Sequence, residues 1–188
     1  MAQRFPRWAN SAVRATLLVG VAGLVGAPVA LIAWTRTPQA TGQYVRVKQP
    51  IAFSHPLHVT ALRIGCRYCH AGVERSAVAG LPPTIACVGC HRDPWLKTAV
   101  FAPVRKSLSS GTPIPWRRVT KLPDFVYFNH AVHVHKGISC ESCHGQVEKM
   151  ETVYQAAPLT MGWCLDCHAS MARKSDVGSI TTCTACHR

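Results

Sequence analysis

The sequence predicts a domain of coil and short helices folded around bound prosthetic groups rather than around its own side chains, tethered by one N-terminal transmembrane helix. Three observations predict it. The chain has 188 residues and 10 cysteines, and all ten fall in five Cys-x-x-Cys pairs, each followed at once by His. Residues 37–188 hold 11 of the 13 prolines and show no sustained period of 3.6 or 2.0 residues, so they cannot build a large core of their own. Residues 15–34 form an apolar run without a single charge.

The apolar run lies between Arg14 and Arg36. Twenty residues at helical rise span about 30 Å, the thickness of a bilayer core. Trp8 and Trp34 suit the two interfacial belts. A cleaved signal peptide would have a shorter apolar stretch and a small-residue cleavage site after it. A retained anchor over residues 15–36 is therefore expected. Gly20, Gly23, Gly26 and Ala27 would let another membrane helix approach closely. Flanking charge orients the anchor poorly, because Arg4, Arg7 and Arg14 precede it and Arg36, Arg46 and Lys48 follow.

The five motifs are Cys66-Cys69-His70, Cys87-Cys90-His91, Cys140-Cys143-His144, Cys164-Cys167-His168 and Cys183-Cys186-His187. Cys-x-x-Cys-His is the attachment signature of c-type haem. Two thioethers clamp the porphyrin edge, and the next residue places its imidazole on iron. Five covalent c-type haems follow, with those five histidines as proximal ligands and no thiol left free. Zinc is the rival reading, since Cys66–Cys90 falls inside zinc-ribbon spacing. Five pairs do not group into four-cysteine sites without remainder, and a ribbon requires no His after every pair. Bacterial c-type haem is attached outside the cytoplasmic membrane. Residues 1–14 are thus expected in the cytoplasm and residues 37–188 on the periplasmic or extracytoplasmic side of the inner membrane.

The other five histidines are His55, His58, His130, His133 and His135. Four of them belong to an internal repeat. Phe53, His55, His58, Cys66, Cys69, His70, Val73 and Glu74 match Phe128, His130, His133, Cys140, Cys143, His144, Val147 and Glu148. The expected organisation is a linker (37–52), a first di-haem unit (53–91), a connecting segment (92–127), a second di-haem unit (128–168) and a fifth haem segment (169–188).

Phe-x-His-x-x-His before Cys-x-x-Cys-His resembles the cytochrome c3/c7 class, which makes the fold class a multihaem cytochrome c of class III type. The resemblance implies that His55 pairs with His70 and His130 with His144. It also implies that His58 and His133 reach across to other haems. Four irons then have a distal His. The fifth takes His135 or a thioether from Met150 or Met161. Met161 lies only three residues before Cys164, so it is badly placed for that haem. A thioether ligand raises the haem potential relative to a second His. Met150 stands where the first repeat has Ser76, an addition specific to the second unit, and is the choice made here.

A narrower likeness covers nearly the whole chain. It rests on Leu122-Pro-Asp-Phe-Val-Tyr-Phe-Asn-His-Ala-Val-His133, Val153-Tyr154-Gln155 and Met161-Gly-Trp-Cys-Leu-Asp-Cys-His168. Ala102-Pro-Val-Arg105 and Ile114-Pro-Trp116-x-Arg118-Val119 join the halves. With the anchor and five motifs, these resemble the pentahaem cytochrome c subunit of alternative complex III, a bacterial quinol:electron acceptor oxidoreductase. The resemblance implies electron transfer in the respiratory chain rather than catalysis by this chain alone. Its implied partners are an iron–sulfur subunit, integral membrane quinol-oxidising subunits, and a periplasmic cytochrome c, other soluble carrier or terminal oxidase. The family mixes bis-His with His/Met haems, and His135 has no place in its pattern.

Two other classes compete. A multihaem reductase would need an open iron, yet His and Met suffice to close all five. A stand-alone anchored quinol dehydrogenase feeding a periplasmic reductase would have one anchor and several haems, but not the Pro-Asp-Phe-Val-Tyr-Phe-Asn-His segment. The net charge of +13 includes Lys97, Arg105, Lys106, Arg117, Arg118 and Lys121 between the units. These offset haem propionates or offer a face to an acidic carrier. Nucleic acid is not an expected partner of an extracytoplasmic domain.

Overall fold

The computed structural model describes residues 5, 6, 8–172 and 180–187. Arg4 and Arg7, and residues 173–179 and 188 of the fifth haem segment, lie outside them. The chain divides into two compact units, Met1–Thr41 and Gly42–Arg188.

In the first unit a single helix runs from Ala9 to Thr35. It starts one and a half turns before the uncharged run, because Ala9-Asn-Ser-Ala-Val-Arg14 offers no proline or glycine to stop it. Its 27 residues span about 40 Å. Its most apolar 18-residue window has a mean hydropathy of 2.2, and none of its residues is buried. An α-helix apolar on all sides is long and apolar enough to cross a membrane. Pro28 sits inside it. Pro28 cannot donate to the carbonyl of Leu24, an interruption that membrane helices tolerate. At its end the Thr35 and Thr37 hydroxyls donate to the carbonyls of Ile32 and Trp34, closing the last turn. A Cβ on Gly20, Gly23 or Gly26 would meet nothing within 4 Å.

The second unit is built from short helical pieces. Among the described residues it contains no strand, and the Gln43–Gln155 contact is an isolated parallel bridge. Its longest helices are Met161–Ala172 and Ala102–Ser110. Among the described residues the buried hydrophobic core is Val104, Ile114 and Met150. The chain exposes 14382 Å² at 20.5 kDa, whereas a compact protein of that mass exposes about 8,800 Å². Part of the excess is the naked helix of the first unit. In the second unit large apolar side chains such as Tyr68, Ile85, Trp95 and Phe125 are exposed as well. The architecture is the one expected from the sequence: helix and coil, little core among the described residues, and one N-terminal apolar helix.

Candidate haem-ligand site

Each Cys-x-x-Cys pair is wound into a single helical turn, which sets two side chains three apart on one face. The backbone N–H of the motif histidine donates to the carbonyl of the first cysteine at 2.9 Å in four motifs, at His70, His91, His144 and His187. The fifth, Cys164–His168, lies inside the helix Met161–Ala172. All ten sulfurs are unbridged. Burial pushes several of the thiols up, and neighbouring thiols add to it: Cys140 beside Cys66, Cys69 beside Cys87, Cys167 and Cys164 beside Cys143, and Cys186 beside Cys164. As thioethers these sulfurs would not titrate, but their neighbourhood would be the same.

The repeat is legible in three dimensions. Phe53 stacks on His58 with ring centres 4.3 Å apart and meets His55 edge-on at 4.8 Å. Phe128 stacks on His133 at 4.4 Å and meets His130 edge-on at 4.8 Å. The Nδ1–H of His58 donates to the Ser54 carbonyl, and that of His133 to the Asn129 carbonyl, both at 2.8 Å. Each phenylalanine thus aims two imidazoles at once. This orienting role was missed at the sequence level, although its signal, a Phe at the same place in both repeats, was visible.

The histidines then fall into facing pairs. His130 and His144 are stacked with ring centres 6.3 Å apart and planes 5° from parallel. His133 and His168 stand at 6.2 Å and 27°, His58 and His91 at 5.9 Å and 53°. His70 is a neighbour of His55. Metal–imidazole bonds are about 2 Å long, so two of them plus the ring radius on each side put the ring centres about 6 Å apart. The spacing fits one iron held between two imidazoles. Burial, then His70 and His58, holds His55 below the ordinary histidine value. Burial, then His130 and His70, does the same to His144. Both rings therefore stay neutral with a lone pair to offer. Among the described residues no three His, Cys, Asp or Glu side chains converge as ion ligands.

Nδ1 ties fix which nitrogen is free. The Nδ1–H of His70 donates to Gly80, that of His130 to Ala77 and that of His187 to Phe125, at 2.9, 2.8 and 3.1 Å. Such ties hold the tautomer and orient the other nitrogen. The Nδ1 atoms of His55 and His168 are buried without a protein partner. His135 differs: its Nε2–H donates to the Glu74 carbonyl at 2.9 Å. Of the ten histidines, all among the described residues, it alone is exposed.

His187 packs against Phe125, ring centres 5.8 Å apart, while the Tyr127 N–H donates to the Cys186 carbonyl at 2.8 Å. Met150 is 6% exposed and Met161 is 65% exposed. Met150 lines a cavity of about 350 Å³ with Tyr44, Arg46, Lys149 and Tyr154. Its Cε lies 3.3 Å from where a Cβ on Gly145 would sit. Gly145 adopts φ +68°, a left-handed conformation that favours glycine. Between the units, Lys97 pairs with Asp93 at 3.0 Å. Arg105 donates to the carbonyls of Leu96 and Thr98. Two of the six basic residues noted there thus have partners within the chain, at its surface.

Comparison with known proteins agrees with this geometry. Residues 126–188 match the family of cytochrome c7 and related cytochrome c. The chain is 31% identical over 186 residues to the multiheme cytochrome c subunit of a menaquinone reductase from Nitratidesulfovibrio vulgaris strain Hildenborough. That match covers 87% of this chain and 88% of the relative. Facing imidazoles beside thioether-forming cysteines, and a relative matched along almost its whole length, lead to one conclusion: the chain belongs to the family of multihaem cytochromes c, which bind c-type haem covalently.

Proposed function

We propose that the chain is the five-haem electron-transfer subunit of a membrane-bound quinone-linked oxidoreductase of the alternative complex III type. It carries electrons from quinol oxidation towards a periplasmic carrier or a terminal oxidase. Haem iron supplies a one-electron redox centre. The chain's residues attach, ligate and orient it. In this reading the ten motif cysteines hold five haems, and His70, His91, His144, His168 and His187 are proximal ligands. His55 and His70 close one iron, His58 and His91 a second, His130 and His144 a third, His133 and His168 a fourth. The observation that carries the reading is the set of facing imidazoles at about 6 Å. A group held on both faces exchanges electrons but has no position open to a substrate.

Met150 is the proposed sixth ligand of the remaining iron. Its burial favours it over Met161, and the engaged Nε2 of His135 favours it over that histidine. The helix Ala9–Thr35 would anchor the chain in the inner membrane, N-terminus inward, and pack on membrane subunits through Gly20, Gly23 and Ala27. The iron–sulfur and quinol-oxidising subunits would be its neighbours.

Gentle detergent purification from native membranes tests the assembly, with quinol-driven reduction of the haems followed optically. Co-purification with an iron–sulfur subunit and rapid reduction by quinol is the expected result. A chain isolated alone that still takes electrons from quinol would support a stand-alone quinol dehydrogenase instead. The name of the relative favours a second direction, in which electrons pass from a soluble donor towards menaquinone. Faster oxidation of the reduced haems by quinone than reduction by quinol would select it. A Met150→Leu variant should turn one low-spin haem high-spin and lower one potential; an unchanged spectrum removes Met150 from the ligand set.

A further inference from the structure

The two repeats touch through matched elements. The helical turn Pro56–Ala61 of the first packs against Val147–Lys149 of the second, and His130–His135 of the second packs against Ala71–Glu74 of the first. Under the register set by Phe53/Phe128 and the two histidines that follow each, Pro56–Ala61 corresponds to residues 131–136; under the haem-motif register, one residue shorter, Ala71–Glu74 corresponds to residues 145–148, so the elements in contact overlap their equivalents. The contact is reciprocal, as an isologous interface is. The hydrogen bonds repeat the exchange. The Thr60 hydroxyl donates to the Glu148 carbonyl at 2.9 Å, and the His135 Nε2–H donates to the Glu74 carbonyl at 2.9 Å. Thr60 and His135 occupy the same place in the two repeats, and so do Glu148 and Glu74.

The exchange is not fully symmetric, and one of its unmatched bonds has a covalent reason. The Ala131 N–H donates to the Ser76 carbonyl at 3.2 Å. At the place of Ala131 the first repeat has Pro56, which has no N–H to donate. At the place of Ser76 the second repeat has Met150. The missing bond and the buried, unpartnered Nδ1 of His55 fall on the same side of the junction.

We propose that the two di-haem units meet about an internal pseudo-two-fold axis and that His135 and Thr60 are the paired positioning residues of that junction, setting the Cys66/Cys69 motif against the Cys140/Cys143 motif. The Cys66 and Cys140 thiols, equivalent in the repeat, are near neighbours, and His70 is a neighbour of His144. From the junction outwards the motifs follow in order on both sides: Cys87 beside Cys69 on one, and on the other Cys164 beside Cys143 and Cys186 beside Cys164. The junction is thus the crossing between the halves. The proposal rests on the reading that each repeat holds two haems, but not on the identity of the fifth haem's distal ligand.

The test uses the matured, haem-loaded chain. His135→Ala and Thr60→Val should each lower the unfolding midpoint by about 2 °C. Both should leave the number of low-spin haems unchanged and weaken the magnetic coupling between haems seen by electron paramagnetic resonance. His135→Thr, which installs the other repeat's residue, should restore midpoint and coupling. Loss of a low-spin haem in both His135 variants would make His135 an iron ligand and overturn the proposal. Two silent variants, His135→Ala and Thr60→Val, would overturn it as well. The haem count itself, read from intact mass, separates failure of the junction from failure of the five-haem reading.

Discussion

A ligand imidazole is aimed by its protein neighbours as well as by the iron it would bind. In both repeats the phenylalanine two residues before the first histidine covers the second histidine face-on and the first edge-on. The carbonyl four residues back takes the Nδ1 proton of the second. Leucine at either place would keep volume but lose the flat surface. We expect Phe128→Leu to cost roughly 1–2 kcal/mol. It should also broaden the low-spin signal of the haem between His133 and His168. Phe53→Leu should do the same to the haem between His58 and His91. Low-temperature electron paramagnetic resonance of the two variants is the measurement, and unchanged line shapes in both would remove the phenylalanines from the orienting role.

At the scale of elements, the motifs were legible as chemistry, and neither their backbone nor the contacts between them were. Spacing marked two sulfurs and a histidine as one attachment unit, and the structure winds a helical turn at each motif. The repeat was visible as matched residues, but its reciprocal packing was not. Packing between Pro56–Ala61 and Val147–Lys149 joins residues nearly ninety positions apart, and neither piece has a hydrophobic period long enough to show its buried face. His135 illustrates the limit: its sequence position fits a ligand as well as a strut, and only the bond from Nε2 to Glu74 separates them. The first helix was legible in kind, with its start placed late because charge was read as a boundary and helical backbone tolerates Arg14. Residues 1–36 carry the apolar helix and the second compact unit begins at Gly42. Expression from residue 37 behind a cleavable export signal should give a haem-loaded protein in the soluble fraction. The full chain should sediment with membranes. Sedimentation of the shortened protein would place the membrane attachment in the haem domain instead.

The whole molecule inverts the usual relation between core and ligand. A domain normally closes on its own side chains. Here Val104, Ile114 and Met150 are the buried hydrophobic residues among those described, too few to offset the conformational entropy of ordering the chain. At about 25 cal/mol per Å² of apolar surface, the missing stabilisation has to come from burying surface against another body. Covalent haem supplies such a body, and in this reading folding and cofactor attachment are one event. The chain matured by a c-type attachment system should therefore carry the mass of five haems, resist protease and unfold cooperatively. The same chain made without that system should be digested from residue 42 onwards and show little tertiary signal in near-ultraviolet circular dichroism. A fully matured sample with four haems or fewer would defeat the five-motif reading. A haem-free chain that unfolds cooperatively would show that the polypeptide holds itself together after all.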